Sequence, residues 1–352
     1  DTGAHIQMNF STELFGLPFR GDLGVRYVET SLSSTGVQDV GEENVTVTVE
    51  RDYSDTLPAV NLVLEPTDEF LVRASYAKVM SRPPLGSLTP GGSINSFAVP
   101  PSVTFGNPEL DPFRADSYDL SFEWYFADEA LIALALFKKD IESFTVSDVV
   151  SRPWSELGLP DSLIANTPAD AIKDTVPFDV RTTLNGKGGD LEGYEIQYQQ
   201  PLTFGPAWMQ DFGFIANYTH VTSEVSFGER LIDGVEVEVF DDLNGLSNES
   251  YNFTLYYDNG SFDARVSASH RGKYNRNAIS GRQNGNDTDF TKAATYVDMS
   301  TSYEVNDNFK ISLEAPNLTE EFRTDLMDTQ ARRIDNYFGT GRQYYLGLQY
   351  SY

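Results

Sequence analysis

The chain ends on a strand with one wholly apolar face. In Arg342–Tyr352, the side chains of Tyr344, Leu346, Leu348, Tyr350 and Tyr352 share one side of an extended backbone, while Tyr345, Gly347, Gln349 and Ser351 share the other. Period two is the repeat of a β-strand. A strand that stops on an aromatic residue, with no polar tail, suits the last strand of a cylinder facing lipid. A sandwich strand with its apolar face in a core has the same local pattern, so the rest of the chain must decide.

The alternation recurs along the whole chain. Ile6, Met8 and Phe10 alternate with His5, Gln7 and Asn9, and Tyr118, Leu120, Phe122, Trp124 and Phe126 alternate with Asp119, Ser121 and Glu123. Tyr194, Ile196 and Tyr198 oppose Glu195, Gln197 and Gln199; Phe309, Ile311 and Leu313 oppose Lys310, Ser312 and Glu314. With Leu23–Tyr27, Val60–Leu64, Phe70–Tyr76, Phe212–Tyr218, Tyr251–Tyr257, Phe262–Ala268, Val297–Tyr303 and the ambiguous Leu131–Phe137, 13 strands are expected. Leu131–Phe137 is apolar at every position, which leaves its orientation open. Each strand is about nine residues or longer, the length of a tilted membrane strand. The connections alternate too. Short turns such as Asp258-Asn259-Gly260 alternate with long segments near 37–54, 83–113, 146–186, 226–246, 274–291 and 319–341. Short turns on one rim and long loops on the other are a barrel's signature, with the long loops outside the cell.

Composition sharpens this. The 352 residues include 19 Tyr and 23 Phe but no Cys, which excludes a disulfide frame or thiolate metal site. No run reaches the roughly 18 apolar residues of a membrane helix. A mean hydropathy of −0.36 alone would suggest a soluble protein, but barrels evade that test because their two faces alternate. A net charge of −28 argues against nucleic acid. Asp1 opens the sequence without Met or a visible signal peptide, which fits a processed chain or a fragment.

Several segments resemble the TonB-dependent outer-membrane receptor family. They are Tyr53-Ser-Asp-Thr-Leu-Pro-Ala-Val-Asn-Leu62, Leu71–Pro83, Gly106-Asn-Pro-Glu-Leu-Asp-Pro112 with Ser117–Leu120, Phe137-Lys-Lys-Asp-Ile141, Ala315-Pro-Asn-Leu-Thr319 and Gly341–Tyr352. Their order and spacing match the family across about residues 45–352, in the style of the Caulobacter and Xanthomonas branch. The resemblance implies an all-β fold: a transmembrane antiparallel β-barrel of about 22 strands, plugged by an N-terminal domain whose short box engages TonB–ExbB–ExbD. On that reading residues 1–352 are the C-terminal part of one barrel domain. The plug and the remaining strands lie on an upstream segment or a separate chain. The implied setting is the bacterial outer membrane, with its lipid and lipopolysaccharide. The barrel-assembly machinery, reading Tyr352 as an assembly signal, and a surface lipoprotein are candidate partners.

No catalytic pattern is present. His5, His220 and His270 are scattered, and His270 reads as a wet lumen or rim histidine. Alternation assigns Arg73, Glu123, Glu195, Gln197, Asn217, Arg265 and Asp298 to the lumen, against the plug or the solvated path. Ligand candidates lie in the outer loops. Trp154 could stack on a sugar or staple its own loop. Arg271, Tyr274, Arg276 and Arg282, with Lys273, could grip an anionic chelate or pair with acidic loops. Arg82 could touch ligand or close a rim ion pair. Asn317 is read as satisfying backbone at a strand end. The acidic run Glu229, Asp233, Glu236, Glu238, Asp241 and Asp242, or Asn284, Asn286, Asp287 and Asp289, could hold a structural Ca²⁺ or be solvated surface. No other cofactor is expected. The expected function is TonB-dependent import of a scarce nutrient, an oligosaccharide first. A ferric siderophore, a passive porin and a surface-assembly barrel are the alternatives.

Overall fold

The strands run as hairpins from one end of the chain to the other. The computed structural model describes residues 1–40, 43–232, 235–277, 288–327 and 331–351. Strands β1 (Thr2–Leu14) and β2 (Leu17–Val40) meet at Phe15-Gly16, both at positive φ (55° and 78°), as a two-residue hairpin turn requires. Then come β3 (Glu43–Thr67) and β4 (Phe70–Ser81), the short β5 (Gly92–Asn95) and β6 (Ser102–Phe105), β7 (Phe113–Ala127) and β8 (Ala130–Arg152). A one-turn helix α1 (Pro168–Ile172) precedes β9 (Phe178–Gly186), β10 (Gly189–Pro201), β11 (Phe212–Ile232), β12 (Val235–Asp241), β13 (Glu249–Asp258) and β14 (Phe262–Arg271). The chain continues through β15 (Tyr274–Asn277), β16 (Asp289–Thr291), β17 (Ala294–Asn306), β18 (Phe309–Ala315), β19 (Arg323–Met327), β20 (Arg333–Phe338) and β21 (Tyr345–Tyr350).

Thirteen of these form one antiparallel ladder in the order β1-β2-β3-β4-β7-β8-β10-β11-β13-β14-β17-β18-β21. They are the 13 strands expected from alternation. Because register sets the face of every side chain, the ladder also orients the ambiguous segment. Trp124 stands opposite Ile132, Phe122 opposite Leu134 and Leu120 opposite Leu136, so those three β8 residues join the apolar face. Phe137 points the other way, and its ring lies against Gly193, where any Cβ would collide with it.

The apolar face is continuous across the ladder, through pairs such as Ile6–Val25, Leu23–Val60, Val72–Phe122, Leu134–Ile196, Leu255–Val266 and Ile311–Leu348. It is open to its surroundings: Ile6 is 72% exposed, Leu346 70% and Leu348 66%. Aromatic rings border it at both ends. Towards the short turns run Trp124–Phe126, Phe126–Tyr198, Tyr198–Phe214 and Phe212–Tyr257, with centroids 4.8–6.3 Å apart. Towards the long loops lie Tyr76–Tyr118 and Tyr194–Tyr218. From Tyr118 to Phe126 is about 26 Å of strand at ~3.3 Å per residue. At a tilt of about 40° that spans about 20 Å, close to the ~25 Å apolar band of a membrane barrel.

The long loops carry structure that alternation did not reveal. The segment near 37–54 is mostly strand, because β2 and β3 stay paired out to Val40 and Glu43. β8 likewise runs beyond the main ladder and pairs with β9, which adds β6 in parallel. Two loops thereby share a small core of Val103, Trp154, Ile164, Ala169 and Phe178, flanked by Ile94, Phe105 and Leu157. A second core, Phe144, Val146, Val225 and Phe227, sits where β8 and β11 leave the ladder. β15, β16, β19 and β20 form a separate four-stranded outer sheet.

Candidate ligand and transport site

The face opposite the apolar one is polar and internally bonded. Arg73 on β4 meets Glu123 on β7 in a two-pronged pair, with Nε donating to Oε1 at 2.7 Å and a terminal nitrogen to Oε2 at 3.3 Å. The Tyr125 hydroxyl adds a third donor to Glu123 at 3.0 Å. Glu195 accepts from Thr219 at 3.5 Å, Gln197 stands opposite Asn217, and Asn217 accepts from the Asn252 backbone and side chain at 3.1 and 3.0 Å. Arg265 lines a cavity of about 340 Å³ with Asp263, Ser302, Glu304 and Lys310, near the short-turn rim. Asp298 accepts the Asn317 amide at 2.7 Å. All seven residues assigned to the lumen from alternation therefore lie on this polar face.

Asn317 holds a strand end together. It sits at φ 54°, is 6% exposed, and bonds the Glu321 backbone twice: its amide donates to the carbonyl at 3.1 Å and its Oδ1 accepts the N–H at 2.8 Å. A side chain that satisfies local backbone tolerates the left-handed region better than most. Arg82 donates to the Thr30 hydroxyl at 3.0 Å and lies 3.1 Å from the Asp1 carboxylate, which makes it a rim tie.

The outer-loop candidates are mostly occupied by the loops themselves. Trp154 is 4% exposed. Its indole N–H donates to Asp161 Oδ1 at 2.7 Å, and its ring lies 4.9 Å from that of Phe178. That is the geometry of a loop staple, with no ring face left for a sugar. Lys173, with the indole N–H of Trp154 assisting, holds the Asp161 carboxyl below its usual range. Arg271 lies over the Tyr274 ring at 3.8 Å, and its Nε donates to the Ser247 hydroxyl at 3.0 Å. Lys273 lies over Phe290 at 4.4 Å. Arg276 reaches Asp335 at 2.8 Å and Asp325 at 3.5 Å. Burial pushes the Asp325 carboxyl up, but Arg323, Thr291 and Arg276 outweigh it and leave the group below its ordinary range. Within the cluster Arg276 is paired with carboxylates, whereas Arg271 and Lys273 lie over aromatic rings. Arg282 lies outside the described residues, as do Asp233, Asn284, Asn286, Asp287 and the assembly-signal residue Tyr352.

Of the calcium candidates, Asp241 and Asp242 are hydrogen-bonded to neighbouring protein groups. Asp241 accepts from Asn275 at 2.9 Å, Thr288 at 3.2 Å and the Asp242 amide at 2.8 Å. Asp242 accepts from Ser223 at 3.5 Å, and Asp289 is 8% exposed. Among the described residues no group of three or more acidic or histidine side chains converges on a metal position.

His270 lies at the outer rim and faces the apolar side rather than the lumen. It stands opposite Tyr251 and Thr295 on the apolar side of the ladder, stacks on Tyr251 at 4.6 Å, and bonds the Thr295 hydroxyl at 2.8 Å. It is an outer-rim histidine turned to the apolar side, as is His220 beside Tyr194 at 5.5 Å. Two features were not assigned from the sequence, although the first draws Asp55, Leu110 and Asp111 from the family-like motifs. One is the knot joining Asp55, 6% exposed, to Arg114 at 2.5 Å, with Arg51 bound to Asp111 and the Leu110 carbonyl. The other is the exposed loop tip carrying Phe97 and Val99.

A family profile described as TonB dependent receptor-like, beta-barrel matches residues 2–318. The chain belongs to the TonB-dependent receptor family. The family's members are outer-membrane transporters rather than enzymes, and this ladder is an outer-membrane barrel portion. No curated protein matches the sequence. Among solved structures, the chain is similar to the siderophore receptor PiuA of Acinetobacter baumannii (TM-score 0.62, 16% identity, 99% of this chain, 43% of that one). It is also similar to a mutant of the ferric enterobactin receptor PfeA of Pseudomonas aeruginosa (0.59, 15%, 99% and 53%). The ferric-catecholate import receptor Fiu of E. coli gives 0.61, 16%, 99% and 44%. At these identities the likeness speaks for the fold. The chain spans about half the length of these receptors.

Proposed function

We propose that the chain is the C-terminal barrel portion of a TonB-coupled importer that takes up a scarce ligand across the outer membrane. The observation that carries this reading is the two-faced ladder within the receptor family: one face apolar and ringed by aromatics, the other a hydrogen-bonded polar wall. Such a wall offers a hydrated surface to a plug and to a passing solute, and TonB supplies the pull that frees the path. The experiment is uptake by cells carrying the whole receptor, with and without TonB. Uptake that persists without TonB, together with steady ion conductance in planar bilayers, would indicate a passive porin.

For the ligand we infer a neutral, hydroxyl-rich oligosaccharide. The support is electrostatic. The chain carries −28, and the outer-loop cations Arg271, Arg276 and Arg323 are held by their own loops. An anionic chelate would meet a repulsive field and would have to displace those ties. A ferric siderophore is the second reading, favoured by the siderophore receptors that share the fold. Binding assays with a panel of oligosaccharides and ferric catecholates separate the two. Saturable binding of the chelate alone would overturn the sugar assignment.

A further inference from the structure

The turn between β10 and β11 breaks the pattern of its rim. The other connections on that rim are tight, such as Phe15-Gly16 and Asp307-Asn308, whereas this one runs from 202 to 211 and contains a single 3-10 turn, Ala207–Met209. It projects two large apolar side chains, Phe204 at 75% and Trp208 at 71% exposure. Few forces favour leaving an indole in water at a turn where two polar residues would suffice.

The base of the turn is fixed to the aromatic border of the apolar face. The Leu202 amide donates to the Phe212 carbonyl at 2.8 Å. The Tyr257 hydroxyl donates to Asp211 Oδ2 at 3.2 Å, and the Asp258 amide to the Asp211 carbonyl at 2.8 Å. Phe212 and Tyr257 are both members of that border, 4.8 Å apart, and Tyr257 continues to Phe262 at 6.0 Å. The exposed pair is therefore carried on a turn whose base is tied to the end of the lipid-facing surface. Inside the turn, the Gly205 carbonyl accepts from Gln210 at 3.4 Å, and a Cβ on Gly205 would lie 3.2 Å from that of Met209. The turn thus has a shape of its own.

We propose that Phe204 and Trp208 anchor this turn in the headgroup region of the inner leaflet of the outer membrane. The occupant is phospholipid. An indole is apolar over its body and carries one N–H donor, so it partitions to that boundary, with the N–H meeting water or a headgroup oxygen. The anchor would fix the depth of the β10–β11 hairpin at the rim where the lumen opens to the periplasm. This inference rests on the outer-membrane barrel reading, and its test separates the two.

The test is fluorescence quenching of the whole receptor in vesicles made with phospholipids brominated either near the headgroup end or near the methyl end of the acyl chains. Subtracting the emission of the Trp208→Phe variant isolates Trp208; subtracting that of Trp124→Phe isolates Trp124, which lies on the ladder's apolar face. The expected result is that Trp208 loses most of its emission to shallow bromines, little to deep ones and little to aqueous iodide. Trp124 should also be quenched by bromolipid. If Trp124 is quenched by lipid but Trp208 only by iodide, the anchor is refuted and the barrel stands. Trp208 shielded from lipid and iodide alike would mean that protein covers the turn, which also refutes the anchor. If lipid quenches neither, the membrane reading itself fails.

Discussion

Replacing Trp154 by Ala should open the outer-loop core without disturbing the barrel. The indole is 4% exposed among Val103, Ile164, Ala169 and Phe178, which are 1%, 0%, 0% and 0% exposed. Truncating a buried Trp to Ala costs about 3–5 kcal/mol. The lost indole hydrogen bond adds little, because its acceptor Asp161 has a side chain 64% exposed and is resolvated by water. At about 1.4 kcal/mol per tenfold, the opening equilibrium of the segment rises roughly a hundredfold to several-thousandfold. Amide hydrogen exchange reads this directly, at the Leu157 N–H bonded to Trp154 and the Ala169 N–H bonded to Ser96. Those amides should exchange faster by that factor, while amides of β13 and β14 keep their rates. Trp154→Phe should recover much of the protection. If Trp154→Ala speeds these amides less than tenfold, the staple assignment is wrong and a ligand-contacting role for Trp154 returns.

Three further outcomes follow from particular contacts. Val266→Arg, on the apolar face, should cost about 2–4 kcal/mol in reversible unfolding from vesicles, and Ser267→Arg on the polar face far less; equal costs would contradict the face assignment. Asp325 is ionised below its ordinary value of 3.8 by Arg323, Thr291 and Arg276 acting against its burial. Its folded pKa is depressed, so its contribution to the outer four-stranded sheet is present above that value and lost as pH falls through the folded one. Limited proteolysis near residues 323–338 should therefore accelerate below about pH 4, and Asp325→Asn, expected to cost about 1–3 kcal/mol, should flatten the profile. Asn317→Ala should destabilise by about 2–3 kcal/mol, combining the left-handed backbone penalty with the loss of two backbone hydrogen bonds. Asn317→Gly, which removes only the bonds, should cost less in the same unfolding assay.

The membrane strands were legible because lipid and lumen each demand one kind of residue and the backbone alternates between them. Tyr118–Phe126 and Phe309–Leu313 declare their faces without help. Leu131–Phe137 does not, since small and large apolar residues fill both faces; only its register against Trp124 and Tyr198 orients it. The outer strands were hidden for another reason. β9 pairs with β8 and β6 over a miniature core built from two distant loops, and no periodicity within residues 178–186 announces neighbours at 102–105. The site was legible as polarity but not as partnership. Arg276 in a chain of −28 reads as a ligand grip or as a partner of acidic loops, and only the fold names Asp325 and Asp335 beside it. Trp154 reads as a sugar platform or as a staple of its own loop, and only the folded loop shows it buried.

The most direct test of the central claim is a cysteine scan through β7, in a chain segment that has no Cys of its own. Positions 119 to 124 would be substituted one at a time in the whole receptor and probed in native outer membranes with a thiol reagent dissolved in the bilayer. Leu120, Phe122 and Trp124 positions should label, and Asp119, Ser121 and Glu123 should not. Uniform labelling, or the opposite alternation, would contradict a barrel that turns this face to lipid.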